Sequence, residues 1–310
     1  MRALRLLAIA ALLLAACGRP AAAPSPTPVL TASPAHYPVT VTDDRGKALT
    51  LAHAPRRVVS LAPSATEIVF ALGAGDRLVA VDDFSDFPDQ AKTLPHVGGV
   101  RASPDKIVSY SPDLILAIAS GDLPTQLDTL GEPLFVFDAN DIDGVYRDID
   151  AVGRLLDRED AAARLVARMR SRIDAVGEKA RAATTRPRVL HEVDSTDPSQ
   201  VFVAGPHNFI DSMITIAGGV NVAADAPVKW PKLSPEQIVA HDPEVIVLGD
   251  AAYGATAAIV AARPGWGTIT AVRRGAIYPI DEDIVSRPGP RIVEGFEAYI
   301  RLIHPELFAK

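Results

Sequence analysis

The hydrophobic positions of this chain fall into short unbroken runs separated by polar turns, and into one long stretch with helical spacing. Leu114-Ile-Leu-Ala-Ile118 is a continuous apolar run with a β-branched component, the pattern of a strand buried on both faces. Ahead of it, Ser103-Pro104-Asp105 opens a short helix. Ser103 is placed to accept from the first free N–H groups, and Pro104 sits where a missing N–H costs nothing. Ser111-Pro112-Asp113 ends that helix, because a residue preceding proline is pushed out of the α region. The same helix, turn and strand are written again without a gap from Ser234-Pro235-Glu236 to Gly249. Arg57-Val-Val-Ser and Arg188-Val-Leu-His form a second pair at the same offset. Two α/β halves built on one plan follow.

The other runs fill in each half. Two alternating stretches after Tyr37 flank Asp43–Lys47 and predict a hairpin with Gly46 in its turn. Strands are expected at Arg57–Leu61, Leu78–Val81 and Leu134–Phe137, which makes residues 37–139 a small α/β lobe with a mainly parallel sheet. Ser64, with Glu67 three residues on, reads as the capping box of a helix that Gly73 ends. From 140 to 184, Ile149, Val152, Leu155, Leu156, Ala162, Leu165, Met169, Ile173 and Val176 recur at helical spacing. A long connecting helix, with a break near Asp157–Asp160 as the alternative, is the simplest account. Residues 185–310 form the second lobe: strands at Arg188–Val193, Val201–Val203 and Ala276–Ile280, and helices at His207–Ala217 and Gly289–Ile303. The expected fold class is α/β, two Rossmann-like lobes joined by a long rigid helix. Loops at the carboxyl ends of the strands, where open α/β sheets bind ligands, would face the cleft between them.

Length and charge narrow the picture. At 310 residues two core-bearing domains are feasible, and a net charge of −7 argues against a nucleic-acid or anionic-membrane surface. The one cysteine excludes an internal disulfide. Arg2 and Arg5 precede the apolar run Leu6–Leu14, too short to span a bilayer, so residues 1–16 read as an export signal. Leu14-Ala-Ala-Cys17 resembles the bacterial lipobox, which implies lipidation of Cys17; a plain signal peptide with a chance cysteine is the other reading. Residues 17–36, rich in Ala, Pro, Ser and Thr, form a tether. The expected location is extracytoplasmic, lipid-anchored to the cell membrane.

Taken as an ordered set, Arg57-Val-Val-Ser-Leu-Ala-Pro-Ser-Ala-Thr-Glu-Ile68, Phe84-Ser-Asp-Phe-Pro88, Val97-Gly-Gly99 and Trp230-Pro-Lys-Leu-Ser-Pro-Glu236 resemble the substrate-binding proteins of ABC importers for vitamin B12 and iron complexes. The resemblance runs from about Pro38 to the C-terminus. It implies the class III periplasmic-binding-protein architecture, a monomer, and a permease with its ATPase as partner. It carries ligand contacts onto Pro63, Phe84, Asp86, Phe202, Trp230 and Arg287, and permease docking onto Asp105 and Glu236. Two tryptophans that line the corrinoid site of the B12-binding members stand here as Val100 and Ile118. The implied ligand therefore widens from cobalamin to a ferric siderophore or haem, with no intrinsic cofactor. Read by themselves, Asp105 and Glu236 sit where a helix dipole favours an anion, so a local stabilising role stands beside docking.

On their own chemistry, several side chains admit more than one role. Trp230 beside Pro231 is a packing anchor or a cleft wall. Of Phe84 and Phe87, which alternate with polar neighbours, at least one is expected in the core. Trp266 is expected to pin a loop. Arg287 and Arg291 suit anionic ligand groups, and Arg291 equally a neighbouring acid. The histidines lack metal-ligand spacing, so no dedicated metal site is expected, and His191 is the one candidate for a ligand contact against a core or cleft-wall role. No nucleophile elbow or phosphate loop supports the rival class, an extracytoplasmic hydrolase.

Overall fold

Every strand predicted from an apolar run is present, and the runs sort into two sheets. The computed structural model describes residues 37–99 and 102–309. The export signal 1–16, Cys17, the tether to residue 36, and Val100 lie outside the described residues. A hairpin of β1 (Val39–Thr42) and β2 (Ala48–Leu51) turns through Gly46, whose φ of +82° suits glycine. Next come β3 (Val58–Ser60), α1 (Pro63–Ala71), β4 (Leu78–Val81), α2 (Pro104–Val108), β5 (Leu114–Ile118), α3 (Leu123–Thr129) and β6 (Leu134–Phe137). The four strands β4-β3-β5-β6 pair in that order, all parallel. Burial on both faces explains their unbroken apolar sequence: Val58, Leu114 and Leu116 enter one core, and Val59, Ile115 and Ala117 enter another.

The connecting stretch is two helices, broken at residues 156–158, where the break near Asp157–Asp160 was expected. α4 (Ile142–Leu155) is capped by the Asp141 side chain, which accepts from the Gly144 N–H. α5 (Glu159–Ala180) follows a turn in which Asp157 is left-handed, with φ 54°. α4 packs on β1 and α1, and α5 packs on α4 and on helices of the second half. The pair therefore bridges the halves, α4 on the first and α5 on the second.

The second half holds β7 (Arg188–Asp194), β8 (Val201–Val203), α6 (Phe209–Ile216), β9 (Val220–Asn221), β10 (Lys232–Leu233), α7 (Pro235–His241) and β11 (Val245–Leu248). It closes with α8 (Ala257–Ala261), α9 (Thr270–Arg274), β12 (Ile277–Pro279), α10 (Asp283–Ser286) and α11 (Ile292–Ile303). Its sheet runs β10-β8-β7-β11-β12, with β9 also on β7. β8 and β10 are antiparallel additions to a parallel centre. α11 lies against α5 and α6, and buries Phe296, Tyr299 and Ile300 with them.

The repeat has a physical basis. Arg57 Nε donates to the carbonyls of Tyr110 and Ser111, and Arg188 Nε to those of His241 and Asp242, the matched positions. Each guanidinium caps the open carbonyl end of the short helix α2 or α7. The acid after each proline, Asp113 or Glu244, takes the N–H of the same arginine. Ser111 and Asp242 turn the chain in the left-handed region, with φ 47° and 44°.

Two expected caps differ. Ser234 forms a full capping box with Gln237, but Ser103 occupies the equivalent N-cap with no side-chain hydrogen bond. In α1 the N-cap is Ala62 and Pro63 is the first helical residue, so Ser64 and Glu67 lie too deep in the helix to cap it; both are buried.

Candidate functional site

A cavity of about 430 Å³ opens where β5, β6, β7 and β11 end. The N-terminal half contributes Ile118 and the segment Asp138-Ala139-Asn140; the C-terminal half contributes His191, Asn208, Lys229 and Trp230, among others. Chain connectivity dictates this placement: parallel strands deliver all their carboxyl-end loops to one edge.

Trp230 is held there by backbone. Asn208, the N-cap of α6, donates from Nδ2 to the carbonyls of Gly205 and Lys229, both at 3.0 Å, and Gly205 N–H donates to Lys229 O at 2.9 Å. A side chain at Gly205 would meet Val228 O at 2.6 Å and Pro231 Cδ at 2.7 Å, so only glycine lets the tryptophan loop lie this close. Lys229 Nζ crosses the cavity mouth and donates to Asn140 Oδ1 at 2.5 Å.

His191 is a buried wall of the cavity, hydrogen-bonded through Nδ1 to the Tyr299 hydroxyl at 2.5 Å. Burial pushes its pKa down to about 3, so the imidazole is neutral across the physiological range. A Cβ on Gly249 would stand 2.6 Å from His191 Nε2, so this glycine too is a space requirement.

A second feature joins the two halves beside the cavity. Ser286 and Pro288 line it, while Arg287 between them turns away. Its Nη1 reaches Asp86 at 2.7 Å and Glu67 at 3.5 Å, and its Nη2 reaches Asp283 at 2.7 Å. Arg291 adds a contact to Glu67 at 3.6 Å and lies over the Phe87 ring, 4.3 Å from its centre. Neither arginine closes a well-formed hydrogen bond on Glu67. Burial raises the Glu67 pKa to about 7 against the pull of Arg291 and Arg287. Burial works against the Asp86 carboxylate, but the hydrogen bond and charge of Arg287, with a backbone hydrogen bond and Lys92, together outweigh it and hold that pKa low.

The sequence-derived contacts thus separate. Trp230 lines the cavity. Asp86 and Arg287 pair with each other, and Phe84 offers its carbonyl to Arg287 Nη2 at 3.4 Å. Pro63 starts α1, one residue before the point where Ser64 and the Gly289 backbone meet. Phe202 lies on β8 beneath Lys232, whose Nζ is 4.5 Å from the ring centre. Asp105 and Glu236 are exposed in the first turns of α2 and α7, and Glu236 accepts from Ser234 Oγ at 2.8 Å.

The core expectation for Phe84 or Phe87 is overturned: they are 60% and 44% exposed. Ser85 turns inward instead, joining a buried chain of Ser60, Thr66 and Asp82, and this holds both rings out. Trp266 is fully buried in a core of the second half with Val260 and Ile269, and Arg263 lies over its ring. Sequence reasoning missed Asp138-Ala139-Asn140 and Asn208. The first immediately follows the apolar run Leu134–Phe137, and that adjacency was a usable signal. Among the described residues, no group of three or more His, Cys, Asp or Glu stands close enough to hold a metal ion, and no helix is long and apolar enough to cross a membrane.

Comparison with known proteins shows the family to which the chain is related. The family model described as periplasmic binding protein fits residues 58–284. An ABC transporter substrate-binding lipoprotein of Bacillus subtilis (strain 168) is 34% identical over 97% of this chain and 96% of its own length. A cobalamin-binding protein of Halobacterium salinarum is 35% identical over 86% of this chain and 74% of its own. Among solved structures, the periplasmic heme-binding protein of Roseiflexus sp. RS-1, in apo form, superposes with a TM-score of 0.73. It is 30% identical and covers 81% of this chain and 99% of its own.

Proposed function

This chain belongs to the periplasmic binding protein family, and on that premise we propose that it is the extracytoplasmic receptor that captures cobalamin or a ferric siderophore and delivers it to an ABC permease and its ATPase. The observation that carries the proposal is the cavity where both sheets present the carboxyl ends of their strands, with Trp230 on its wall. Such a site binds and releases; its neutral, sealed His191 is a wall and not a base. The cobalamin-binding relative supports the corrinoid reading, and the heme-binding neighbour supports haem as the second. In this reading Cys17 carries the lipid and residues 17–36 hold the receptor off the membrane, where it acts as a monomer. Asp105 and Glu236, one exposed acid on each repeat, dock on cationic residues of the permease. Pro63, Phe84 and Phe202 make accessory contacts to the rim of a large chelate.

Titrating the purified protein with cyanocobalamin, a ferric hydroxamate and haem, while following tryptophan emission, tests the proposal. Binding of one of them at micromolar concentration or tighter is expected, with the quench lost in Trp230→Phe. No binding to any of the three overturns it.

A further inference from the structure

A larger cavity, of about 790 Å³, lies on the C-terminal half and shares the Val193 wall with the central one. The segment Ser195–Pro198 after β7 forms one side, and residues 253–264 around α8 form the other. Its walls are mostly apolar: Pro198, Ala262 and Pro264, with Tyr253 and Ile259 left 75% and 56% exposed.

Its polar groups lie on the Asp194–Thr196 segment, Asp250 and Arg263, and Asp194 accepts from Thr196 N at 2.8 Å. Asp250, only 5% exposed, accepts on Oδ2 from Ser195 N at 3.0 Å and Oγ at 2.6 Å. Its Oδ1 is buried and has no hydrogen-bond partner, an arrangement native proteins rarely leave unmet. Arg263, the cation of this cavity, is already committed. It pairs with both oxygens of the fully buried Glu192, at 2.6 and 2.8 Å. The cavity therefore offers apolar surface, the acceptor carboxylates of Asp194 and Asp250, and no free positive charge.

We propose that this cavity is a second compartment of the ligand site, resting on the chelate-receptor reading above. It takes an arm of the chelate that has an apolar body and ends in an N–H or O–H donor, such as a carboxamide or a protonated amine. A carboxylate arm is rejected, because it would bury a second anion near Asp250 with no cation to offset it. Cobalamin carries carboxamide arms, and some hydroxamate siderophores carry amide and ammonium groups. Haem carries two carboxylates. The second compartment thus selects among the chelates that the central cavity admits.

The test uses purified protein, its Ile259→Trp and Asp250→Asn variants, and three probes: cyanocobalamin, ferrioxamine B and haem. Ile259 is an exposed wall residue on a five-residue helix, so tryptophan there fills the cavity without entering the core. The expected result is that cyanocobalamin or ferrioxamine B binds at least about tenfold tighter than haem. Ile259→Trp then weakens that ligand at least about tenfold and changes haem by less than about twofold. Asp250→Asn narrows the gap between that ligand and haem. Unchanged affinity for the preferred chelate in Ile259→Trp, or tighter binding of haem in the unmodified protein, overturns the second compartment and leaves the receptor standing. Failure of the unmodified protein to bind any probe overturns both.

Discussion

The two halves of this molecule repeat one plan, yet they treat their buried charges differently. Glu192, on the first strand of the second half, is fully buried and held by both nitrogens of Arg263 from the same half. Glu67, on the helix after the first strand of the first half, is equally buried, but its cations come from residues 287 and 291 at the far end of the chain. Those contacts are longer and do not offset burial, which raises the carboxyl's pKa to about 7. A pair made within one half is closed by local geometry. A pair made between halves depends on how they meet, and so joins stability to the relative placement of the two.

The copies of the repeat differ in the same sense. Ser111 merely turns the chain, whereas Asp242 at the matched position also accepts from Thr270 N at 2.7 Å and Thr270 Oγ1 at 3.0 Å. The second copy is stitched to α9 and the first stands freer. What the copies share is the exposed acid of the first helical turn, and here symmetry itself supports docking.

The largest expected effect tests that shared acid. Reversing both Asp105 and Glu236 to lysine should abolish uptake in cells, while ligand affinity measured on the purified protein stays within about twofold. Lost ligand affinity would place these acids in the binding site, and unimpaired uptake would end the docking proposal.

The next tests the contrast between the glutamates. Glu192→Gln leaves Arg263 buried without its counter-ion and should cost about 3–5 kcal/mol in chemical denaturation. Glu67→Gln should behave oppositely. A carboxyl whose pKa is raised by folding binds its proton more tightly when folded. Its contribution is therefore fully present below about 4.5, falls between 4.5 and 7, and is lost above 7. Wild-type protein should lose up to about 3 kcal/mol relative to Glu67→Gln across that window. Parallel stability–pH profiles of the two proteins would refute the assignment.

The smallest effect comes from the two left-handed turns. Relief of a left-handed serine is worth about 1–2 kcal/mol, and the added flexibility of glycine in the unfolded chain returns about half of it. Ser111→Gly should thus stabilise by about 0.5–1 kcal/mol. Asp242→Gly gains the same relief but strips Thr270 of its acceptor and Arg188 of a partner, so its Tm should fall. Equal shifts in both variants would show the copies to be interchangeable.

Much of the architecture was legible because it is written locally. Leu114–Ile118 and Leu134–Phe137 are strands buried on both faces, and such burial leaves an unbroken apolar run in any sequence that satisfies it. The matched arginines and acids were legible as a repeat, although only the folded structure shows that each arginine caps a helix. The errors fell where a neighbour in space outweighed a neighbour in sequence. Ser64 and Glu67 have the spacing of a capping box, but the helix begins at Pro63, and Glu67 turns inward toward arginines more than two hundred residues away. Phe84 and Phe87 look like core residues until Ser85 takes the inward position through Thr66 and Asp82.

By itself, then, the sequence determined the strands, the short helices of the repeat and the two-fold plan, which rest on local pattern and a gapless internal repeat, and its ordered motifs carried the resemblance to the family. The tertiary structure decided which loop residues share a cavity, that Arg287 is spent on Asp86, Glu67 and Asp283, and that Asp250 keeps an oxygen without a partner. Loops carry no period, and a side chain's partner across two sheets is fixed only when those sheets have packed.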